Sequence, residues 1–233
     1  MMKFKKILLL FVAMTIAFVA TGCMGSNKLD KAFEELEEKS FTVVSDLEIE
    51  MTLKYNDKVE SFKQTAEMQI EADQSQSYTI MTINGIVQSS YAKIDDDKAK
   101  VYTRVDNKWI LNETSLDDYN DDDMLAIIDI DTEDIFEESE GVWVCDVEKI
   151  SGELDEYMKM MAESFGGTGL TVDNMSLDKY TIELDGKHLS KINFEMSVAL
   201  SDSNVSMEMK ISMPLRFLKI GKTNVTVPTG LPE

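Results

Sequence analysis

Three runs decide the fold of this chain: Tyr180-Thr181-Ile182-Glu183-Leu184, Ile192-Asn193-Phe194-Glu195-Met196-Ser197-Val198-Ala199-Leu200, and Val205-Ser206-Met207-Glu208-Met209-Lys210-Ile211-Ser212-Met213-Pro214-Leu215-Arg216-Phe217. In each, apolar and mostly polar residues alternate, the period of a strand with one face buried. Asp185-Gly186 and Asp202-Ser203 supply the turns between them. The reading is a three-stranded antiparallel meander. Its last strand is about twice the usual 5–6 residues, and long antiparallel strands twist and curl, so the sheet is expected to curve and its hollow side to need cover.

The same alternation runs through the first half. Phe41, Val43, Leu47, Ile49, Met51, Leu53 and Tyr55 alternate up to Asn56-Asp57, and Phe62, Ala66, Met68, Ile70 and Ala72 continue it on the way back. Tyr78 to Ile83 and Ile86 to Ile94 flank Asn84-Gly85, a strong two-residue hairpin signal. Lys100 to Val105 and Trp109 to Asn112 flank Asp106-Asn107. Val142 to Val147 is a further short strand.

Two segments carry helical spacing. Asn27 caps a helix with Leu29, Phe33 and Leu36 on one face. Ser151 caps another with Leu154, Tyr157, Met158, Met161 and Phe165 on one face, stopped by Gly166-Gly167. Between Leu116 and Phe136, acids mixed with aliphatic residues suggest short helices or loops, and Ile135 with Phe136 a short amphipathic helix. The expected class is α+β, a curved antiparallel sheet partly covered by helices.

The chain starts with Lys3, Lys5 and Lys6 before an apolar run from Ile7 to Val19, then Ala20-Thr21-Gly22-Cys23. A charged start, an apolar stretch and small residues make a secretory signal. The run falls short of the roughly 20 residues that span a bilayer. With Cys23 directly after Gly22, the segment resembles a bacterial lipoprotein signal, although Ala20 stands where that family more often has Leu. The resemblance implies cleavage before Cys23, acylation of its sulfur and attachment to the outer side of the cell membrane. Acyl chains suffice for this, at about 0.8 kcal/mol per buried methylene. The expected division is a signal over 1–22, a lipidated tether over 23–27 and one domain over 28–233.

The order of elements, Lys39-Ser40-Phe41 entering the first strand, and the hairpin from Val101 to Leu111 leading into Trp109 resemble the LolA-like half-barrel lipoproteins and carriers, including LppX-type proteins, from about Lys28 to Ile220. The chain also looks like methionine-rich lipoproteins of Gram-positive bacteria. In the carriers, the space between sheet and helices holds acyl chains. The resemblance thus implies a membrane partner and a lipid or other hydrophobic ligand, and no cofactor.

Without the signal, 20 basic residues face 44 acidic ones, a formal charge of 20 minus 44, or −24. Such a surface repels phosphate and lacks a basic cluster after Lys6, which excludes nucleic acid as a partner. Beyond Cys23 the chain has only Cys145, so a lipidated Cys23 leaves no internal disulfide and the core alone must hold the fold.

Methionine is the compositional oddity, with 16 in the chain. Met196, Val198, Met207, Met209 and Ile211 on the strands, with Met158 and Met161 on the second helix, are the candidate lining of an apolar pocket, because flexible thioethers adapt to varied ligands. The same residues equally fill an ordinary core. Thioether ligation of Cu(I) and a calcium loop from Asp129 to Glu140 fit poorly: strand alternation explains the methionines, and Asp134 stands where the loop needs glycine. His188 is the only histidine, and no nucleophile motif or phosphate loop occurs. Two functions follow as expectations: non-catalytic binding of a hydrophobic molecule, or a surface interaction or assembly protein with a filled core.

Overall fold

A computed structural model describes residues 28–56, 58–95, 98–115, 135–149, 171–202 and 204–232. The expectations for Cys23, for 116–134 and for the helix at 151–170 with Met158 and Met161 lie outside them. The described elements are α1 (Lys28–Glu38) and β1 (Phe41–Tyr55), β2 (Lys58–Ala72), β3 (Gln76–Ile83), β4 (Ile86–Asp95), β5 (Lys98–Val105), β6 (Lys108–Ser115), β7 (Phe136–Ser139), β8 (Val142–Cys145), β9 (Thr171–Asp185), β10 (His188–Ser201) and β11 (Val205–Leu218). The expected short helix at Phe136 is corrected: Phe136 opens β7 and pairs with Cys145.

All eleven strands form one antiparallel sheet in the order β6-β5-β4-β3-β2-β1-β11-β10-β9-β8-β7. Two meanders, β1–β6 and β7–β11, are joined where β1 pairs β11, from Thr42↔Leu218 to Tyr55↔Val205. The sheet is open, with β6 and β7 at its ends, and so makes a curved half-barrel of the expected α+β class. Tight turns set the registers. Asn84 and Gly85 (φ 50° and 76°) and Asp106 and Asn107 (φ 50° and 62°) are left-handed pairs, the geometry that matches strand twist.

One interruption has a simple cause. β1 and β11 skip the partners between Ser45↔Leu215 and Glu48↔Ser212, opposite Pro214, which has no N–H to give. Curvature has an equally local source. Register shifts between β9 and β10 leave Asp178 and Asp173 of β9 without a partner position, and such bulges bend a sheet and increase its twist. These two β9 bulges are pinned: Ser176 Oγ (2.8 Å) and Ser197 Oγ donate to Asp178, and Ser201 Oγ donates to Asp173 at 3.0 Å.

α1 buries Leu29, Ala32, Phe33 and Leu36, all at most 4% exposed, in one cluster with the alternate residues of β1, β2 and β9–β11. That side is the inner face. Burying such a side chain contributes roughly 1.5–3 kcal/mol before chain entropy is counted. An 11-residue helix is about 16 Å long and a 15-residue strand about 50 Å, so α1 covers only one end. Glu35 fixes which end, by bonding to His188 at the start of β10.

Candidate functional site

The inner face is a set of apolar rungs. Opposite residues of an antiparallel pair share a face, so the registers place Ile49, Ile211, Met196 and Leu177 in one rung, Met51, Met209, Val198 and Met175 in the next, and Leu53, Met207, Leu200 and Val172 in a third. Five sequence-nominated residues, Met196, Val198, Met207, Met209 and Ile211, therefore meet on adjoining strands. Met196, Val198, Met209 and Ile211 are 2–6% exposed and belong to the core cluster, while Met207 is half-buried at its margin.

The same face continues onto β3–β6 through the row Leu47, Ala66, Ile83 and Ile86. There it opens. Ile86, Ile94, Val105 and Ile110 lie on the inner face by register and are 61%, 52%, 40% and 48% exposed. Sequence reasoning nominated the buried floor and missed this open wing. A signal was present in the alternation of Ile86 to Ile94, but alternation shows which residues share a face and not whether that face is covered.

Near the α1 end, Ser45 Oγ is buried between Met68 and Leu215 and finds no hydrogen-bond partner among the described residues. A hydroxyl so placed costs about 1–3 kcal/mol. It puts one polar point in an otherwise apolar floor.

The titratable groups near this face are structural. Burial opposes ionisation of Glu35, but hydrogen bonds from Lys39 (2.6 Å) and His188, with their charge, outweigh it and hold the carboxyl below its ordinary range. Burial pushes the Cys145 thiol up to about 12, with Asp146 adding to it. The nucleophilic thiolate is thereby disfavoured. His188 lies at the first residue of β10, half exposed as the sequence suggested, and is bound to Glu35. Among the described residues no group of three or more His, Cys, Asp or Glu is placed to hold a metal ion.

On β4 and β5 the buried side switches. Tyr91 and Tyr102, 3% and 4% exposed, face outward with ring centroids 5.9 Å apart, and Tyr91 Oη donates to Gln76 Oε1 at 2.6 Å. The segment after β11 runs along this outer face. It leaves at Gly221, whose φ of 70° suits glycine and whose N–H donates to Ser40 O at 2.6 Å. The Thr223 and Thr42 hydroxyls then share a 2.8 Å bond. Thr226 N–H donates to Glu71 at 2.9 Å, and residues 228–232 reach Tyr78 and Trp109.

No family model matches the chain, and no curated protein does. Among solved structures, it resembles the ywiB protein from Bacillus subtilis (8% identity, 76% of this chain and 92% of that one, TM-score 0.23). It also resembles a putative outer membrane lipoprotein-sorting protein domain from Vibrio parahaemolyticus (12%, 89% and 96%, 0.26) and a DUF1329 family protein from Desulfovibrio piger (9%, 86% and 93%, 0.26). Likenesses of this degree carry no argument about family or function.

Proposed function

We propose that this protein is a lipid-anchored, extracytoplasmic, non-catalytic binder of a lipid or other hydrophobic molecule, held on the inner face of the half-barrel. The observation that carries the reading is that this face, a methionine-rich floor on β1, β11 and β10, continues by register onto β4–β6, where Ile86, Ile94, Val105 and Ile110 are exposed among the polar residues Gln88, Ser90, Thr103, Lys108 and Asn112. A ligand seated on the wing extends over the floor by displacing thioethers, which repack at low cost. Ser45 offers a partner to one polar group of such a ligand. The lipoprotein-like signal over 1–22, with Cys23 directly after it, supports a position beside a membrane, the source of acyl chains.

A second reading rests on the burial of Met196, Val198, Met209 and Ile211. If they are a finished core, the protein is a surface interaction or assembly partner without a small ligand. Gentle purification from the native membrane, followed by solvent extraction and mass spectrometry, separates the two. Lipid near one molecule per chain supports carriage. No co-purifying lipid together with a reproducible crosslinked protein supports the second reading.

A further inference from the structure

We propose that the cleft on the outer face, between the β5–β6 hairpin and the segment after β11, is a binding site for an anionic saccharide, a sugar bearing a carboxylate or phosphate. The cleft encloses about 560 Å³, within the roughly 300–1,000 Å³ of small-molecule sites. Its lining combines one cation, Arg104, two aromatic residues, Tyr78 and Trp109, with Asn107, Pro228, Thr229, Gly230 and Pro232; Lys108 borders it, but as the partner of Val105 it shares the inner face by register. No acid lines it, in a chain of net charge −21. Even Asp106, in the turn itself, stays out of the lining.

Arg104 is available. Its Nη2 donates to Asn107 Oδ1 at a long 3.4 Å, and among the described residues no carboxylate pairs with it. A guanidinium bonds a carboxylate or phosphate through two parallel N–H groups. Arg104 and Trp109 sit opposite each other in the β5–β6 ladder, so the anion partner and an aromatic platform stand side by side. Aromatic rings cover the apolar C–H face of a sugar while amides and hydroxyls meet its rim.

The walls are fixed before any ligand arrives. Asp106 and Asn107 close the hairpin in a left-handed turn, and Thr223 and Thr226 fasten the opposite wall to β1 and β2. The rest of the acidic surface repels an anion, which favours the place where Arg104 stands and no acid lines the wall. The cleft lies on the other side of the sheet from the apolar face, so this inference does not depend on lipid binding.

The test uses the full chain in a zwitterionic detergent without a sugar headgroup, titrated with glucuronate, glucose 6-phosphate, glucose or inorganic phosphate. Binding is read by calorimetry, and by Trp109 fluorescence in a Trp143→Phe background. Both anionic sugars are expected to bind saturably, with glucose and phosphate at least tenfold weaker. Arg104→Gln is expected to weaken the anionic sugars at least tenfold at unchanged Tm, and Trp109→Ala to weaken them in calorimetry. Absence of saturable binding by either anionic sugar overturns the proposal. So does binding of phosphate alone as tightly as the sugars, or affinity indifferent to both substitutions.

Discussion

His188 Nδ1 and Glu35 Oε2 form a hydrogen bond that joins residues 153 positions apart and fixes α1 over the start of β10. Lys39 bonds the other oxygen of the same carboxylate at 2.6 Å, so one nearly buried acid ties the C-terminal end of α1 to the residue that follows it and to the start of β10. Substituting Glu35→Gln should destabilise the fold by about 1–2 kcal/mol, the range for a hydrogen bond to a charged group with partly solvated partners. Urea unfolding at neutral pH measures it.

The same pair has a pH signature. Because the folded carboxyl sits below its ordinary range, it contributes stability that is fully present above the unfolded glutamate value and is lost as pH falls through the lower, folded value. The stability gap between wild type and Glu35→Gln should therefore narrow as pH falls below the ordinary glutamate range. Urea melts at intervals between pH 7 and 3 test it, and a gap that widens on acidification contradicts the assignment.

Cys145 should be inert. With its thiol pushed up to about 12 by burial, against an ordinary thiol near 8.5, thiolate at pH 8 is scarcer by about a thousandfold. Native labelling with a disulfide reagent should be at least about a hundredfold slower than in denaturant. Equal rates would mean an open, reactive thiol.

The segment after β11 should behave as part of the fold. Truncation after Lys219 removes the bonds to Ser40, Thr42 and Glu71 and the strip that faces Tyr78 and Trp109 across the outer cleft. About 2 kcal/mol is expected from the lost hydrogen bonds and partial exposure of the two aromatic side chains, a fall in Tm of about 4–8 °C. Dye binding to exposed apolar surface should rise in parallel, and an unchanged Tm would show that the segment covers nothing of consequence.

Anchoring has its own test. Cys23→Ser should abolish incorporation of labelled fatty acid and leave the signal uncleaved, shifting the protein to higher apparent mass on a gel. Unchanged labelling and fractionation would remove the basis for an extracytoplasmic location.

Much of the sheet was legible because period-two alternation and left-handed turns act locally: Asn84-Gly85, Asp106-Asn107 and Asp185-Gly186 each sit between strands that pair as expected. The first part of β9 was not. Its inward residues Val172, Met175, Leu177, Tyr180 and Ile182 break strict alternation twice, where Asp173 and Asp178 bulge, so the sequence showed a strand only from Tyr180. β7 was hidden for another reason: Phe136-Glu137-Glu138-Ser139 is too short for a period to show, and only pairing with β8 makes it a strand. At the candidate site, alternation correctly grouped Met196, Val198, Met207, Met209 and Ile211. The exposed wing and the outer cleft depend on which face a distant segment covers, and no local pattern records that.

The central claim is that the inner face takes an apolar ligand, and the most direct measurement is titration of delipidated protein with a naturally fluorescent fatty acid. The account predicts saturable binding near one per chain, weakened at least tenfold by Ile110→Glu on the open wing with Tm preserved. Fluorescence that rises without saturation, or saturable binding that Ile110→Glu leaves untouched, would contradict it.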